Sequence, residues 1–216
     1  MLASAARPLG SLETLAPDLL EQLRGTRSAE LLPVPQALTG LFPEGGLRRG
    51  STITVSGSSS LVLALLAAVS QESGWCAEVG SPLLGSAAAV EAGVALDRFV
   101  RVAQPGEQWP TVVASLFEAF ELVVVHPPAR AREADMRRLT ARARERSAVL
   151  LVASANTLVA SAHTETWPGA MLGLSVVRQS WHGLGSGHGY LRARELDVQA
   201  LGRGAATRPR RATVWL

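Results

Sequence analysis

Lysine is missing from this chain altogether: all 21 basic residues are arginine, and isoleucine occurs once, as Ile53. The joint shortage reads as a GC-rich coding bias rather than a demand for guanidinium chemistry. Cysteine also occurs once, as Cys76, which excludes a disulfide framework and a cysteine-based zinc site. Charged residues make up only 18% of the chain against 47% apolar ones, so extensive disorder is excluded. The apolar run Leu61 to Val69 is too short to cross a bilayer, and the first residues show no signal-peptide pattern. The expectation is a soluble cytoplasmic protein with no membrane association. A net charge of +3 is modest, so a basic nucleic-acid surface stays open without being demanded.

What is present is an alternation. At 216 residues the chain suits one domain with a small appendage. Residues 1–32 read as a helical arm: Ser11 can cap a short helix containing Leu12 and Leu15, and Pro17 opens a second turn with Leu19, Leu20 and Leu23. That arm either packs on the core or docks a partner through Leu15, Leu19, Leu20 and Leu23. Residues 33–216 read as the core. Proline and paired glycines in 33–50 mark turns feeding a first strand, Ile53 to Val55. Helix follows at Leu61 to Val69, strand at Trp75 to Val79, helix at Ser86 to Ala95, and strand at Phe99 to Val102. Then come helix Trp109 to Phe120, strand Leu122 to Val125, helix Arg130 to Arg146 and strand Val149 to Val152. These strands are short continuous apolar runs, the pattern of a parallel sheet covered on both faces. Repeated βα units to about residue 153 predict a doubly wound α/β fold.

Beyond residue 153 the period changes to alternation. Leu172, Leu174 and Val176 begin it, Gly183 to Gly189 form a glycine-rich hairpin loop, and Tyr190 to Leu201 return. A phase slip between Ala193 and Leu196 suggests a bulge there. Thr213 to Leu216 close the chain, with Val214-Trp215-Leu216 either a core strand or an anchor for a partner through Trp215. Residues 170–216 thus predict antiparallel hairpins extending the sheet.

The turn after the first strand carries the question of chemistry. Strand, Gly57 and apolar helix stand where a phosphate-binding loop has G-x-x-x-x-G-K-[S/T]. Counted from Gly57, the second glycine, the lysine and the hydroxyl residue fall on Val62, Leu63 and Ala64. Ser58, Ser59 and Ser60 can approximate the hydroxyl only in a shortened loop, which abolishes the nest of amides around a phosphate. The layout resembles the RecA-like ATPase core over roughly residues 38–216. The points of likeness are Leu41-Phe42-Pro43-Glu44-Gly45-Gly46-Leu47-Arg48-Arg49-Gly50-Ser51, Gly93 to Val100 with Gln104 to Gln108, and the strand end Val123-Val124-Val125-His126. In that frame the resemblance places His126 where a magnesium-holding acid belongs, and Ser81 near the water-polarising glutamate. It therefore implies a pseudo-ATPase without catalytic residues, cofactor or metal.

Among such inert relatives the chain resembles the ImuA family, above all its shortened actinobacterial form, ImuA-prime. Phe42 to Leu47, Val125-His126-Pro127-Pro128, Trp181, Gly189 to Arg194 and Arg208-Pro209-Arg210-Arg211 occur in that order. The resemblance implies an accessory factor of an SOS-induced mutasome. Its partner is an ImuB-like Y-family polymerase homologue and, through it, an error-prone C-family polymerase and the sliding clamp. Recruitment to the nucleoid at damaged DNA, self-association and weak DNA contact follow as expectations. Alternatives are a SulA-like cell-division inhibitor and a DNA-binding recombination mediator. His163, His182 and His188 show no zincin spacing and read as solvated loop histidines. The arginine-rich helix reads as a solvated outer helix or as a docking surface.

Overall fold

The computed structural model describes residues 30–81, 85–154, 167–184 and 189–216. Leu15, Leu19, Leu20 and Leu23, with His163 and His188, lie outside the described residues. Two short strands, β1 (Leu31–Leu32) and β2 (Leu47–Arg48), pair antiparallel ahead of the main sheet. Between them, a 3-10 turn at Gln36–Leu41 buries Leu38 and Leu41 in the core.

The main sheet is built from β3 (Thr52–Ser56), β4 (Cys76–Val79), β5 (Phe99–Val102), β6 (Leu122–Val125) and β7 (Val149–Ser154). To these are added β8 (Leu172–Leu184), β9 (Gly189–Gly202) and β10 (Arg210–Trp215). Its order is β10-β9-β8-β3-β7-β6-β4-β5. All contacts from β8 to β5 are parallel, and β9 and β10 pair antiparallel beyond β8. This is the doubly wound, mostly parallel α/β sheet with a C-terminal antiparallel extension that the periodicity predicted.

Helices cover both faces. Helix α1 (Ser59–Gln71) and α2 (Ser86–Glu91) sit on one, packing against Ile53, Val55, Val124, Leu151 and Leu174. Helices α3 (Trp109–Leu116) and α4 (Glu133–Glu145) cover the other, against Ala77, Val79, Val123, Val125, Leu150 and Val152. Consecutive residues of β6 therefore feed opposite cores, which is why that strand can be apolar throughout. Helix α1 is buried around most of its circumference from Leu61 to Ser70. Helix α4 buries only Leu139 and Ala143 fully, with its charges outward. Glu133 and Asp135 in its first turn and Arg142 and Arg144 in its last complement the helix dipole.

Element ends differ from the sequence reading where a local device stops the helix. Helix α2 ends at Glu91 rather than Ala95, because Gly93 takes φ +85° and donates its N–H back to Val90. The bulge also moves. Ala193 to Leu196 pair regularly with His182 back to Gln179, while the extra residue is Val177 on β8. A second irregularity sets Gly183 opposite Tyr190 to Arg192. This outer end projects past the core, so burial no longer dictates which residues alternate, and the phase slip was not a register signal. At the last strand the two readings divide by residue: Val214 is buried, whereas Trp215 is 58% exposed.

Candidate functional site

Open parallel sheets place ligands outside the carboxyl ends of their strands, and here that edge holds a cleft of about 570 Å³. The ends of β3, β4, β6 and β7 reach it, together with the starts of α1, α2 and α3. Its walls include Ser58, Val62, Leu63, Ser81, Trp109 and His126. Sequence reasoning thus brought Ser58, Ser59, Ser81 and His126 to one place; Gly57 and Ser60 flank them in the turn and first helical turn.

The connection from β3 to α1 consists of Gly57 and Ser58 alone. Gly57 turns the chain at φ +89°, and a Cβ there would sit 3.0 Å from the Val176 side chain. Ser58 is the N-cap, its hydroxyl accepting from the Leu61 amide at 3.4 Å. One of the amides that greet an anion at a helix start is thereby taken by the protein itself. The fold invites a nucleoside triphosphate with magnesium, but these residues do not fit one. A two-residue turn cannot wrap a phosphate chain, Leu63 occupies the lysine position, and the chain contains no lysine.

The cleft's polar wall is a cluster that the sequence concealed. Glu78, in the middle of β4, has no solvent exposure. Its Oε1 lies 3.0 Å from His126 Nε2 and its Oε2 lies 3.6 Å from Arg101 Nε on the neighbouring strand. Arg101 also donates from Nη2 to the Ser81 carbonyl at 2.7 Å, tying the chain after β4 to β5. The backbone locks the same corner: the His126 N–H reaches Val79 O at 2.8 Å, and the Gly80 N–H reaches Val102 O at 2.9 Å. Gly80, at φ +86°, lets the His126 carbonyl approach so closely that a Cβ would stand 2.6 Å from it. His126 is therefore largely buried and held by its own protein partners. Glu78 was passed over because a strand interior is a poor place for an acid. The one signal was a lone carboxylate in an otherwise apolar strand, with an arginine in register on the next.

At the far end of the extension the chemistry differs. Arg194 donates from Nη1 to Ser60 Oγ at 2.8 Å and also to Gln179 Oε1, tying the β8–β9 hairpin to the first turn of α1. Its guanidinium lies 4.7 Å from the centre of the Trp181 ring. Partial burial lowers the Arg194 pKa. On the other face His182 stacks on Trp215 at 4.8 Å and meets Glu195 at 3.2 Å.

The fold is similar to that of the flagellar accessory protein FlaH of Methanocaldococcus jannaschii. The TM-score is 0.57 over 86% of this chain and 93% of that one, and the likeness at 11% identity is one of fold. Sequence gives the narrower relation. Residues 40–159 match the MT3502 N-terminal domain, and the chain belongs to that family. It is also 34% identical over 154 residues to the uncharacterized protein Rv3395c of Mycobacterium tuberculosis, spanning 70% of this chain and 72% of that protein. Among the described residues, no helix is long and apolar enough to cross a membrane.

Proposed function

We propose that this chain is a RecA-like pseudo-ATPase that serves as a non-catalytic adaptor of an SOS-induced mutasome. Its work is to support error-prone translesion DNA synthesis by holding an ImuB-like Y-family polymerase homologue, and through it a C-family polymerase and the sliding clamp. The observation that carries the non-catalytic part is the two-residue Gly57–Ser58 turn, with Ser58 spending its hydroxyl on the helix cap. The Glu78–His126–Arg101 cluster supports it further, because the acid nearest the cleft is buried and turned toward its own protein partners. Phosphoryl transfer requires cations positioned on the phosphates and a group orienting the nucleophile, and the described residues lining the cleft offer neither. The mutasome part rests on the resemblance carried by Phe42 to Leu47, Val125 to Pro128 and Arg208 to Arg211.

Co-expression of the full chain with a candidate ImuB-like protein tests the reading. A stable complex is expected, and the chain alone should show no magnesium-dependent ATP binding in a titration. Co-purification with a tubulin-like division protein in place of the polymerase homologue would instead establish a cell-division inhibitor. Saturable ATP binding would refute the pseudo-ATPase.

A further inference from the structure

The wall of the cleft at the strand ends is almost free of ionisable groups. No arginine, aspartate or glutamate stands among the described residues that line it, and His126 is their one titratable side chain. The acid just behind the wall, Glu78, has no exposed surface and faces His126 and Arg101. Much of the rest is apolar, with Val55, Val62, Leu63, Pro127 and Pro128 among it. A volume of about 570 Å³ suits a small molecule, and a mostly apolar wall with a few polar groups is the usual make-up of such a site.

Two of those polar groups hold hydrogens without an acceptor. Trp109 is 6% exposed, and its indole N–H donates to no group among the described residues, yet the nitrogen is not sealed from the surface. A buried indole N–H ordinarily has a partner. Ser58 is 5% exposed, and its hydroxyl oxygen accepts from the Leu61 amide, which leaves the hydroxyl hydrogen still able to donate. The start of α1 adds amides of its own, because a first helical turn leaves several N–H groups unpaired and Ser58 caps one of them.

We propose that the cleft is a binding site for a small, uncharged, mostly apolar molecule that carries a hydrogen-bond acceptor such as a carbonyl. Its body covers the Val62, Leu63 and Pro127 walls, and its acceptor takes the Trp109 N–H, with the Ser58 hydroxyl as a second donor. An ion in the same place would leave water for a wall without a counter-charge, a strongly unfavourable transfer. The walls are held in advance. Gly80 and His126 are locked to the neighbouring strands by their own amides, and the two-residue turn at Gly57 fixes where α1 begins. Little ordering is therefore left for a ligand to impose. The inference rests on the pseudo-ATPase reading, since a nucleotide would need the same space, and is independent of the mutasome.

The test titrates the purified full chain with Prodan, an uncharged naphthyl ketone whose emission moves to the blue in apolar surroundings and to the red when its carbonyl is hydrogen-bonded. One saturable site with emission to the blue of the dye in water is expected. Trp109→Phe removes the N–H and keeps an aromatic ring, so it should weaken binding about fivefold and move the bound emission further to the blue. Ala88→Trp, at an exposed position of α2 on the cleft wall, should abolish binding by filling the space. Thermal melts check that each variant is folded. Anilinonaphthalene sulfonate, an anion of similar size, should bind more weakly than Prodan; equal or tighter binding of the anion overturns the proposal. So does Prodan binding that Ala88→Trp leaves unchanged, which would put the dye elsewhere on the chain. Unchanged affinity and emission in Trp109→Phe overturn the assigned donor. Absence of Prodan binding overturns the site while leaving the pseudo-ATPase reading intact, whereas displacement of Prodan by magnesium-ATP refutes both.

Discussion

Replacing Arg49 by methionine should cost this fold a large part of its stability. Arg49 precedes β3 and Glu121 precedes β6, and their side chains meet at 2.8 Å with 9% and 4% of their surfaces exposed. Glu121 is further enclosed by its backbone, whose N–H donates to Trp75 O and whose carbonyl accepts from Val149 N–H. Removing the guanidinium leaves a carboxylate sealed away from water, and breaking a buried pair in this way costs about 3–5 kcal/mol. Against a total stability on the order of 5–15 kcal/mol for a domain, that is about a fifth or more. At about 2–4 °C per kcal/mol for a chain of this size, the melting temperature should fall by roughly 6–20 °C. Guanidinium unfolding followed by tryptophan emission and by circular dichroism measures it, with the m-value unchanged. The control is Arg49→Met/Glu121→Met, which removes both charges and should recover most of the loss, because an apolar pair of similar volume has no charge to strand. A single variant within about 1 kcal/mol of wild type would refute the reasoning. So would a double variant no better than the single.

Two further outcomes follow from close contacts in the same sheet. Gly80→Ala should destabilise by at least about 2 kcal/mol, since it combines a left-handed backbone with a Cβ 2.6 Å from the His126 carbonyl, and equilibrium unfolding reads it directly. Cys76 is fully buried, and desolvation first, then the Glu121 charge, pushes its thiol far above the usual range. Its labelling by a disulfide reagent should therefore keep pace with global unfolding; stoichiometric reaction within minutes on the native protein would contradict that burial.

The parallel half of the fold was legible because it is written in short apolar runs. Leu122 to Val125 cannot alternate and still be a surface strand, so it had to lie between two layers, and Val123 and Val124 do feed opposite cores. The turn at Gly57 was legible as well, because the positions that must carry a glycine, a lysine and a hydroxyl carry Val62, Leu63 and Ala64. The bulge was not legible. Beyond the core, neither Ala193 nor Glu195 is forced inward, so the hydrophobic pattern had nothing to report. Nor was the Glu78 cluster, whose members lie 23 and 48 residues from the glutamate in sequence and meet only because β4 lies between β5 and β6.

Sequence by itself determined residue identities: no lysine anywhere, Val62, Leu63 and Ala64 at the offsets counted from Gly57, and His126 at the end of an apolar run. Those identities stand at fixed offsets, and no packing can alter them. Tertiary structure alone decided where the remaining chemistry stands. It buried Glu78 against His126 and Arg101 at the cleft, and it set Trp181 by Arg194 on one face of the projecting sheet end and Trp215 against His182 on the other. Strand order and register are long-range properties, fixed by which apolar faces must be covered, so a linear pattern names the strands without naming their neighbours.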